Sequence, residues 1–170
     1  MLRATAVLYD SLAASEGVGQ TTRVDVMNAE LRAPNTPADW AAYHAIRRRV
    51  LFELRGRGST YDAEHPDEHR PHHHPFLLWV GAEAVGVIRI DLNRDVAVFR
   101  RVAVREDMQR RGYGRQLLEL AIQFAEQQRC IRIESHVDAD AVGFYLRCGF
   151  ARTEDTTRQG AAILMIRSLR

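Results

Sequence analysis

The chain has 170 residues, 46% of them apolar, and a formal net charge of +2, which fits one globular domain large enough to bury a core. No apolar run approaches the roughly 20 residues that a membrane span needs. All 24 basic residues are arginine, which excludes enzymes that depend on a Schiff-base or P-loop lysine, and two cysteines are too few for a disulfide framework, so we expect a cytoplasmic protein.

The predicted elements begin after a segment with weak periodic signals. We expect residues 1–26 to form an N-terminal extension outside a domain of residues 27–170. The run MNAELRA at 27–33 predicts a strand. Thr36 and Pro37 then offer an N-cap and a first-turn proline, and apolar residues at helical spacing predict one helix that ends at Gly56. Residues 57–75 are polar and rich in His and Pro, which predicts a long loop.

Three β-type runs follow at 76–81, 84–92 and 96–104, and the short turns between them predict an antiparallel meander. The next predicted elements are a helix from about Gly112 to Arg129, a strand at 130–137, a short helix near 139–147, and two final runs near 150–155 and 161–168. The unit from 96 to 137 is a strand–helix–strand crossover. Its two strands should therefore be parallel neighbours in a mixed sheet.

A glycine- and arginine-rich segment, QRRGYGR at 109–115, lies where a predicted strand passes into a predicted helix. Helix N-termini bind phosphate, because their backbone N–H groups are unpaired and carry partial positive charge. Gly112 and Gly114 let the backbone approach a ligand closely. Six arginines fall within this stretch and just before it: Arg100, Arg101, Arg105, Arg110, Arg111 and Arg115. The segment therefore predicts a pyrophosphate-binding site.

A second motif, DADAVGFYLRCGF at 138–150, follows the other strand of the crossover. Asp138 can cap a short helix that contains Phe144 and Tyr145, and Gly149 ends it. Because both motifs follow strands that are joined by one crossover, they should lie at the same edge of the sheet.

Together the two motifs resemble the GNAT superfamily of N-acetyltransferases. Residues 109–114 fit its Q/R-x-x-G-x-G/A loop, and Ala141, Phe144, Tyr145 and Gly149-Phe150 fit its second signature, commonly N-x-x-A-x-x-x-Y-x-x-x-G-F. The resemblance covers residues 27–168 and is strongest from 98 to 152. It implies a single α/β domain with a mixed, mostly antiparallel, twisted sheet of six or seven strands, a splayed central parallel pair and about four flanking helices.

The resemblance further implies that acetyl-CoA is the acyl donor and lies between the strands that end at Val104 and near Val137. Its pantetheine arm would pair with the backbone of residues 102–104, and its pyrophosphate would bind the amides of residues 110–115. The implied donor-binding residues are Val102, Ala103, Val104, Gln109, Arg110, Arg111, Gly112, Tyr113, Gly114, Arg115, Asp138 and Phe144.

The catalytic roles implied by the resemblance are a general acid and a base. Tyr145 matches the tyrosine that protonates the departing thiolate. Many members carry an acidic base on the strand that ends at Val104, where this chain has Arg100 and Arg101. Glu134 and His136 share one face of the next strand by period-two alternation, and either could serve as the base.

The histidine-rich run at 65–75 raises the question of a metal site. It lacks an i, i+4 helical frame, and the chain lacks the cysteine-rich sets that structural zinc favours, so we predict a solvated loop or substrate lid and no metal site. A pH-sensing role stays open. The neighbouring carboxylates Asp62, Glu64, Asp67 and Glu68 hint at a cationic acceptor such as a polyamine, an aminoglycoside or a basic peptide end.

Three other functions stay open at this stage. The runs at 48–52 and 101–104 resemble pieces of autoinducer synthases, which use acyl carrier proteins and long chains, although the pyrophosphate loop favours CoA. The missing acidic base allows a non-catalytic CoA sensor. An arginine-rich nucleic-acid-binding module is disfavoured because the arginines bracket one loop. We therefore expect a small-molecule or peptide amine as partner, no nucleic acid and no membrane, with a homodimer left open.

Overall fold

A mixed sheet of seven strands, in the order β1-β2-β3-β4-β5-β7-β6, forms the centre of the computed structural model, which describes residues 29–153 and 162–170. The strands are β1 Ala29–Arg32, β2 His73–Val80, β3 Glu83–Asn93, β4 Val96–Val104, β5 Arg132–Val137, β6 Ala151–Arg152 and β7 Ile163–Ser168. The three α-helices are α1 Pro37–Arg47, α2 Tyr113–Gln127 and α3 Val142–Arg147. The predicted extension, residues 1–26, lies outside the described residues, as do 154–161.

One strand pair in this sheet is parallel, as the crossover predicts. β4 pairs with β5 from Val96 opposite Arg132 to Phe99 opposite Ser135, whereas the other pairs are antiparallel. Beyond Phe99 and Ser135 the ladder stops, although β4 continues to Val104 and β5 to Val137. The predicted mixed sheet with a splayed central parallel pair is therefore confirmed, with three α-helices where about four helices were expected.

Apolar side chains alternate between the two faces of the sheet, and a helix covers each face. Leu78 and Ile88 pack in the larger core with Leu117 of α2, while their neighbours Leu77 and Val87 pack with Tyr43 of α1. All of these side chains are fully buried. Strand β4 contributes to both cores, through Phe99 and Ala103, whereas β5 contributes Ile133 and Val137 to the larger core.

The first helix begins as predicted but ends differently. Thr36 and Asp39 form a capping box at its start, with Pro37 in the first turn. The α-helix stops at Arg47, and the chain continues as a π-helical segment at Arg48–Phe52 and a 3₁₀ turn at Glu53–Arg55. The prediction of one helix to Gly56 was therefore wrong after residue 47. Apolar spacing cannot reveal a change of helix type that breaks no hydrophobic pattern.

The predicted loop at 57–75 is more ordered than expected. It contains 3₁₀ turns at Gly58–Thr60 and Pro66–His69, and its last residues already belong to β2. Glu68 is only 3% exposed, so the segment is not simply a solvated loop. Within 29–153 and 162–170, no group of three or more His, Cys, Asp or Glu side chains is placed to hold a metal ion. The same residues include no helix with the length and apolarity required to span a bilayer.

Candidate functional site

A cavity of about 350 Å³ lies where β4 and β5 diverge. The π-helical and 3₁₀ segments after α1 supply Leu51, Phe52 and Arg55 to its wall, and α3 supplies Phe144 and Tyr145. Its size is typical of small-molecule sites. The cavity is therefore formed by the diverging ends of β4 and β5, the segments that follow α1, and α3.

Tyr145 is the central hydroxyl group of this cavity. Its side chain is only 4% exposed, and its Oη lies 3.2 Å from Oγ of Ser135. Ser135 Oγ also lies 3.1 Å from the carbonyl oxygen of Phe99, which can only accept a hydrogen bond. Burial raises the pKa of Tyr145 to about 12. The phenol therefore keeps its proton at neutral pH and is suited to donate it.

His136 and Glu134 occupy one face of β5, but they do not share one environment. His136 is exposed and lines the cavity. Glu134 lies nearer the start of the strand, outside the cavity wall, and its carboxylate pairs with Arg132 at 2.7 Å. Of the two candidate bases, only His136 therefore has a side chain at the cavity.

The glycine-rich loop leads into the N-terminus of α2, where the sequence predicts an anion site. Gly112 is the N-cap, with φ +89°, and no side chain caps the first turn. Its N–H groups are therefore free of side-chain competition for a bound anion. Arg110 also adopts a positive φ of +60° in this loop. The side chain of Tyr113 is buried in the larger core, so only the backbone of Tyr113 is available to a ligand.

The six arginines do not form one continuous patch. Three of them pair with carboxylates: Arg100 with Asp91 at 2.9 Å, Arg105 with Asp107 at 2.6 Å and Arg115 with Glu119 at 2.7 Å. Arg101 lines the cavity, which leaves Arg110 and Arg111 as the arginines of the loop itself that make no ion pair with a described carboxylate. Three of the six charges are therefore already paired with carboxylates, so this stretch is less positive than the count of arginines in the sequence indicates.

The strand residues predicted to bind the donor differ in accessibility. Val102 lines the cavity, whereas Ala103 is buried with the core beneath α1. The Gln109 side-chain amide donates to the carbonyl of Val104 at 2.9 Å and joins the loop to the strand end. A Cβ at Gly114 would lie 3.3 Å from the ring of Phe144, so this glycine allows α2 and α3 to approach closely.

Asp138 does not cap the helix after β5 with its side chain, which corrects the sequence prediction. Its backbone carbonyl accepts from Ala141, while its carboxylate pairs with Arg55. An arginine from a distant segment competes successfully for this carboxylate because a charged donor binds more strongly than a neutral backbone N–H. The pair joins the end of the first helical segment to β5 beside the cavity.

Several residues of the cavity wall were not identified from the sequence. They are Leu51, Phe52, Arg55, Arg57, Phe99 and Ser135. The first four follow the break in α1, which periodicity does not reveal. Period-two alternation along β5 was the one available signal, because it places Ser135 on the same face as the apolar residues Ile133 and Val137 and so indicates a buried hydroxyl group.

Comparisons with known proteins agree with this geometry. The family model for the acetyltransferase (GNAT) family matches residues 40–150. A Lactobacillus plantarum protein described as an N-acetyltransferase has 27% identity and a TM-score of 0.68, with 84% of this chain and 99% of that chain covered. PaiA N-acetyltransferase from Thermoplasma acidophilum, solved in complex with coenzyme A, has 15% identity, a TM-score of 0.69 and coverage of 84% and 100%. An acyl-CoA N-acyltransferase from Pseudomonas aeruginosa has 19% identity, a TM-score of 0.70 and coverage of 83% and 99%.

Proposed function

This chain belongs to the GNAT acetyltransferase family, and from that premise we propose that it transfers an acetyl group from acetyl-CoA to a primary amine of a small molecule or peptide. The observation that carries the proposal is the cavity between the diverging strands β4 and β5, with the protonated hydroxyl of Tyr145 in its wall. We assign residues 27–170 to the catalytic domain and residues 1–26 to an extension outside it.

The donor site that we propose uses the backbone more than side chains. The first turn of α2, after Gly112, has no side-chain cap, and it would hold the pyrophosphate together with Arg110 and Arg111. The edge of β4 that faces β5 has no strand partner from Arg100 to Val104, and it would hold the pantetheine arm as an added strand would be held. The coenzyme A bound to the Thermoplasma relative supports a CoA-type donor here.

In the proposed mechanism, the thioester supplies the acyl group, one side chain accepts a proton from the amine, and another donates a proton to the leaving sulfur. His136, on the cavity wall, accepts a proton from the acceptor amine directly or through water. The neutral amine attacks the thioester carbon and the new C–N bond forms, the nitrogen then loses its second proton to water, and the C–S bond breaks. Tyr145 gives its proton to the departing sulfur and regains one from solvent. Glu134 is the weaker candidate for the base because it pairs with Arg132 outside the cavity.

The experiment that tests this function is a thiol-release assay with acetyl-CoA and a panel of primary amines. Acyl-CoA donors of increasing chain length in the same assay separate acetyl transfer from the long-chain alternative. Because the chain has no lysine, acetylation of its own lysine side chains contributes no background. CoA binding without thiol release for any amine or donor would favour the sensor, and binding of single-stranded nucleic acid without CoA binding would overturn the proposal.

A further inference from the structure

The wall of the cavity is unusually rich in positive charge. Arg55, Arg57 and Arg101 line it, and the carboxylate of Asp138 already pairs with Arg55. Across the part of the chain that the structure describes, neither Arg57 nor Arg101 forms an ion pair with a carboxylate. Two guanidinium groups therefore remain to bind an anion from solution.

The backbone conformation that places Arg101 in the cavity wall is strained. Arg101 and Val102 together oppose Ile88 at a bulge between β4 and β3, and Arg101 has φ +57°. A residue with a Cβ reaches this region only with backbone strain, and bulges commonly redirect side chains near functional sites. The bulge allows the side chains of two successive residues, Arg101 and Val102, to line the same cavity.

The carboxylates close to this wall are already neutralised. Glu68 forms an ion pair with Arg47 at 2.8 Å and accepts hydrogen bonds from Arg89 at 3.0 Å and from the hydroxyl of Tyr43 at 2.9 Å. Asp138 is taken by Arg55. None of the four carboxylates of the acidic stretch at 62–68 lines the cavity, and Glu68 is paired with two arginines, so the wall itself presents no unpaired carboxylate from this stretch.

Repulsion between Arg101 and the neighbouring arginines also favours binding of an anion at this wall. Partial burial lowers the pKa of Arg101, and the charges of Arg47 and Arg89 lower it further. An anion placed against the Arg101 guanidinium offsets this repulsion. The planar fork of an arginine matches the oxygen geometry of carboxylates and phosphates.

We propose that the acceptor amine carries a carboxylate or phosphate group, which Arg101 and Arg57 bind while the amine faces the thioester. This inference rests on the proposed acyl-transfer function and specifies its acceptor class as small anionic amines, for example amino acids. The donor phosphates have their own site at the N-terminus of α2, so Arg101 is assigned to acceptor recognition.

The test uses matched acceptors that differ by one charge. Thiol release from acetyl-CoA is measured with amino acids against their carboxamides, with phosphoethanolamine against ethanolamine, and with spermidine as the cationic acceptor. Comparing the carboxylate and phosphate pairs separates the two anion types. We expect the anionic member of at least one pair to have a kcat/KM about tenfold or more above its neutral partner.

Substitutions at the cavity arginines then assign the effect. Arg101→Gln should lower kcat/KM for the anionic acceptor by about 10- to 100-fold, far more than for its neutral partner, with little change in the KM for acetyl-CoA. Arg57→Gln is the second variant should Arg101→Gln fold poorly. Arg152→Gln, at an exposed position on β6, is the matched control and should change neither acceptor.

A binding measurement makes the inference independent of turnover. In calorimetric titrations of the wild-type chain with CoA present, N-acetylglycine should bind more tightly than N-acetylglycinamide, and Arg101→Gln should remove the difference. Equal binding of the two, preference for spermidine, or an equal effect of Arg101→Gln on both members of a pair would overturn the anionic-acceptor inference. Acetyl transfer to neutral amines would still uphold the proposed function in that case, whereas a chain that does not bind CoA would overturn the function itself.

Discussion

At the scale of single residues, the direction of one proton determines what Tyr145 can do. The Ser135 hydroxyl has a single hydrogen, and the Phe99 carbonyl at 3.1 Å can only accept it. The same hydrogen can be donated to the Tyr145 oxygen at 3.2 Å, which leaves the phenol proton available to a group in the cavity. A substrate sulfur in the cavity can then accept that proton without competition from Ser135.

Replacing Tyr145 by Phe removes this proton and leaves the ring packing in place. We expect kcat to fall by about 10- to 1,000-fold, with the KM for acetyl-CoA nearly constant, because the proton transfer contributes mainly in the transition state. Since the pKa of Tyr145 is raised to about 12, wild-type kcat should decline only as the pH approaches that value, where the phenol loses its proton. The Phe variant should lack this decline. An unchanged kcat under conditions where chemistry limits turnover would assign the proton to water.

The two candidate bases on β5 form a matched pair for mutagenesis. His136→Gln should lower kcat/KM by about 100-fold, because the imidazole lies on the cavity wall and the variant cannot accept a proton. Glu134→Gln should have little effect, since that carboxylate pairs with Arg132 outside the cavity. Steady-state rates of both variants across pH check the assignment. A larger loss in Glu134→Gln would reverse it.

At the scale of elements, the backbone conformation of a few residues limits what can be substituted. Gly112 has φ +89° at the start of α2, and Gly81 has φ +59° in the turn between β2 and β3. A Cβ at either position meets no atom within 4 Å, so the cost of a larger residue there is conformational rather than steric. Only Gly112 lies at the first turn of α2, where we propose that the pyrophosphate binds.

Gly112→Val should therefore weaken CoA binding by about tenfold or more, because a β-branched residue disfavours this backbone and shifts the uncapped N–H groups of α2. Gly81→Val should lose a comparable amount of stability and keep its CoA affinity. Calorimetry for CoA and thermal unfolding for both variants separate binding from folding. Unchanged CoA affinity in a folded Gly112→Val chain would remove the anion site from α2.

The elements also show how far sequence reasoning reaches. Alternation and turn signals predicted β3 and β4 to within one residue, and the glycine-rich loop and the Tyr145 motif were predicted from local patterns. The π-helical segment at Arg48–Phe52 escaped because it breaks no hydrophobic pattern. The bulge at Arg101 was not predicted because it depends on the register between β4 and β3. The pairing of Asp138 with Arg55 was not predicted because these residues are distant in sequence.

At the scale of the whole molecule, a buried polar cluster connects α1, the segment before β2, and β3. Glu68, Arg47 and Arg89 are each 3% exposed or less. Arg89 also pairs with Asp91 at 2.8 Å, whereas the salt bridge to Glu68 is the one ion pair of Arg47 among the described residues. The cluster therefore fixes the position of α1, and with it the π-helical wall of the cavity.

Glu68→Gln should be strongly destabilising, because it leaves the Arg47 charge buried without a counter-charge. We expect the free energy of unfolding to fall by about 3–5 kcal/mol. Glu106→Gln, which removes an exposed partner of Arg49, should change the free energy of unfolding very little, because solvent screens this pair. Urea denaturation of the two variants measures both values. Equal, small effects would mean that water or local rearrangement neutralises Arg47.

The ion pair between Arg55 and Asp138 differs from that cluster in its contact with solvent. Its side chains keep 34% and 54% of their exposure, so dissolved ions reach them. The Debye length shortens from about 30 Å at 0.01 M ionic strength to about 3 Å at 1 M. Added salt therefore weakens the attraction between Arg55 and Asp138, whereas the buried cluster of Glu68, Arg47 and Arg89 keeps its ion pairs. We therefore expect high ionic strength to loosen the contact between Arg55 and Asp138 at the cavity wall.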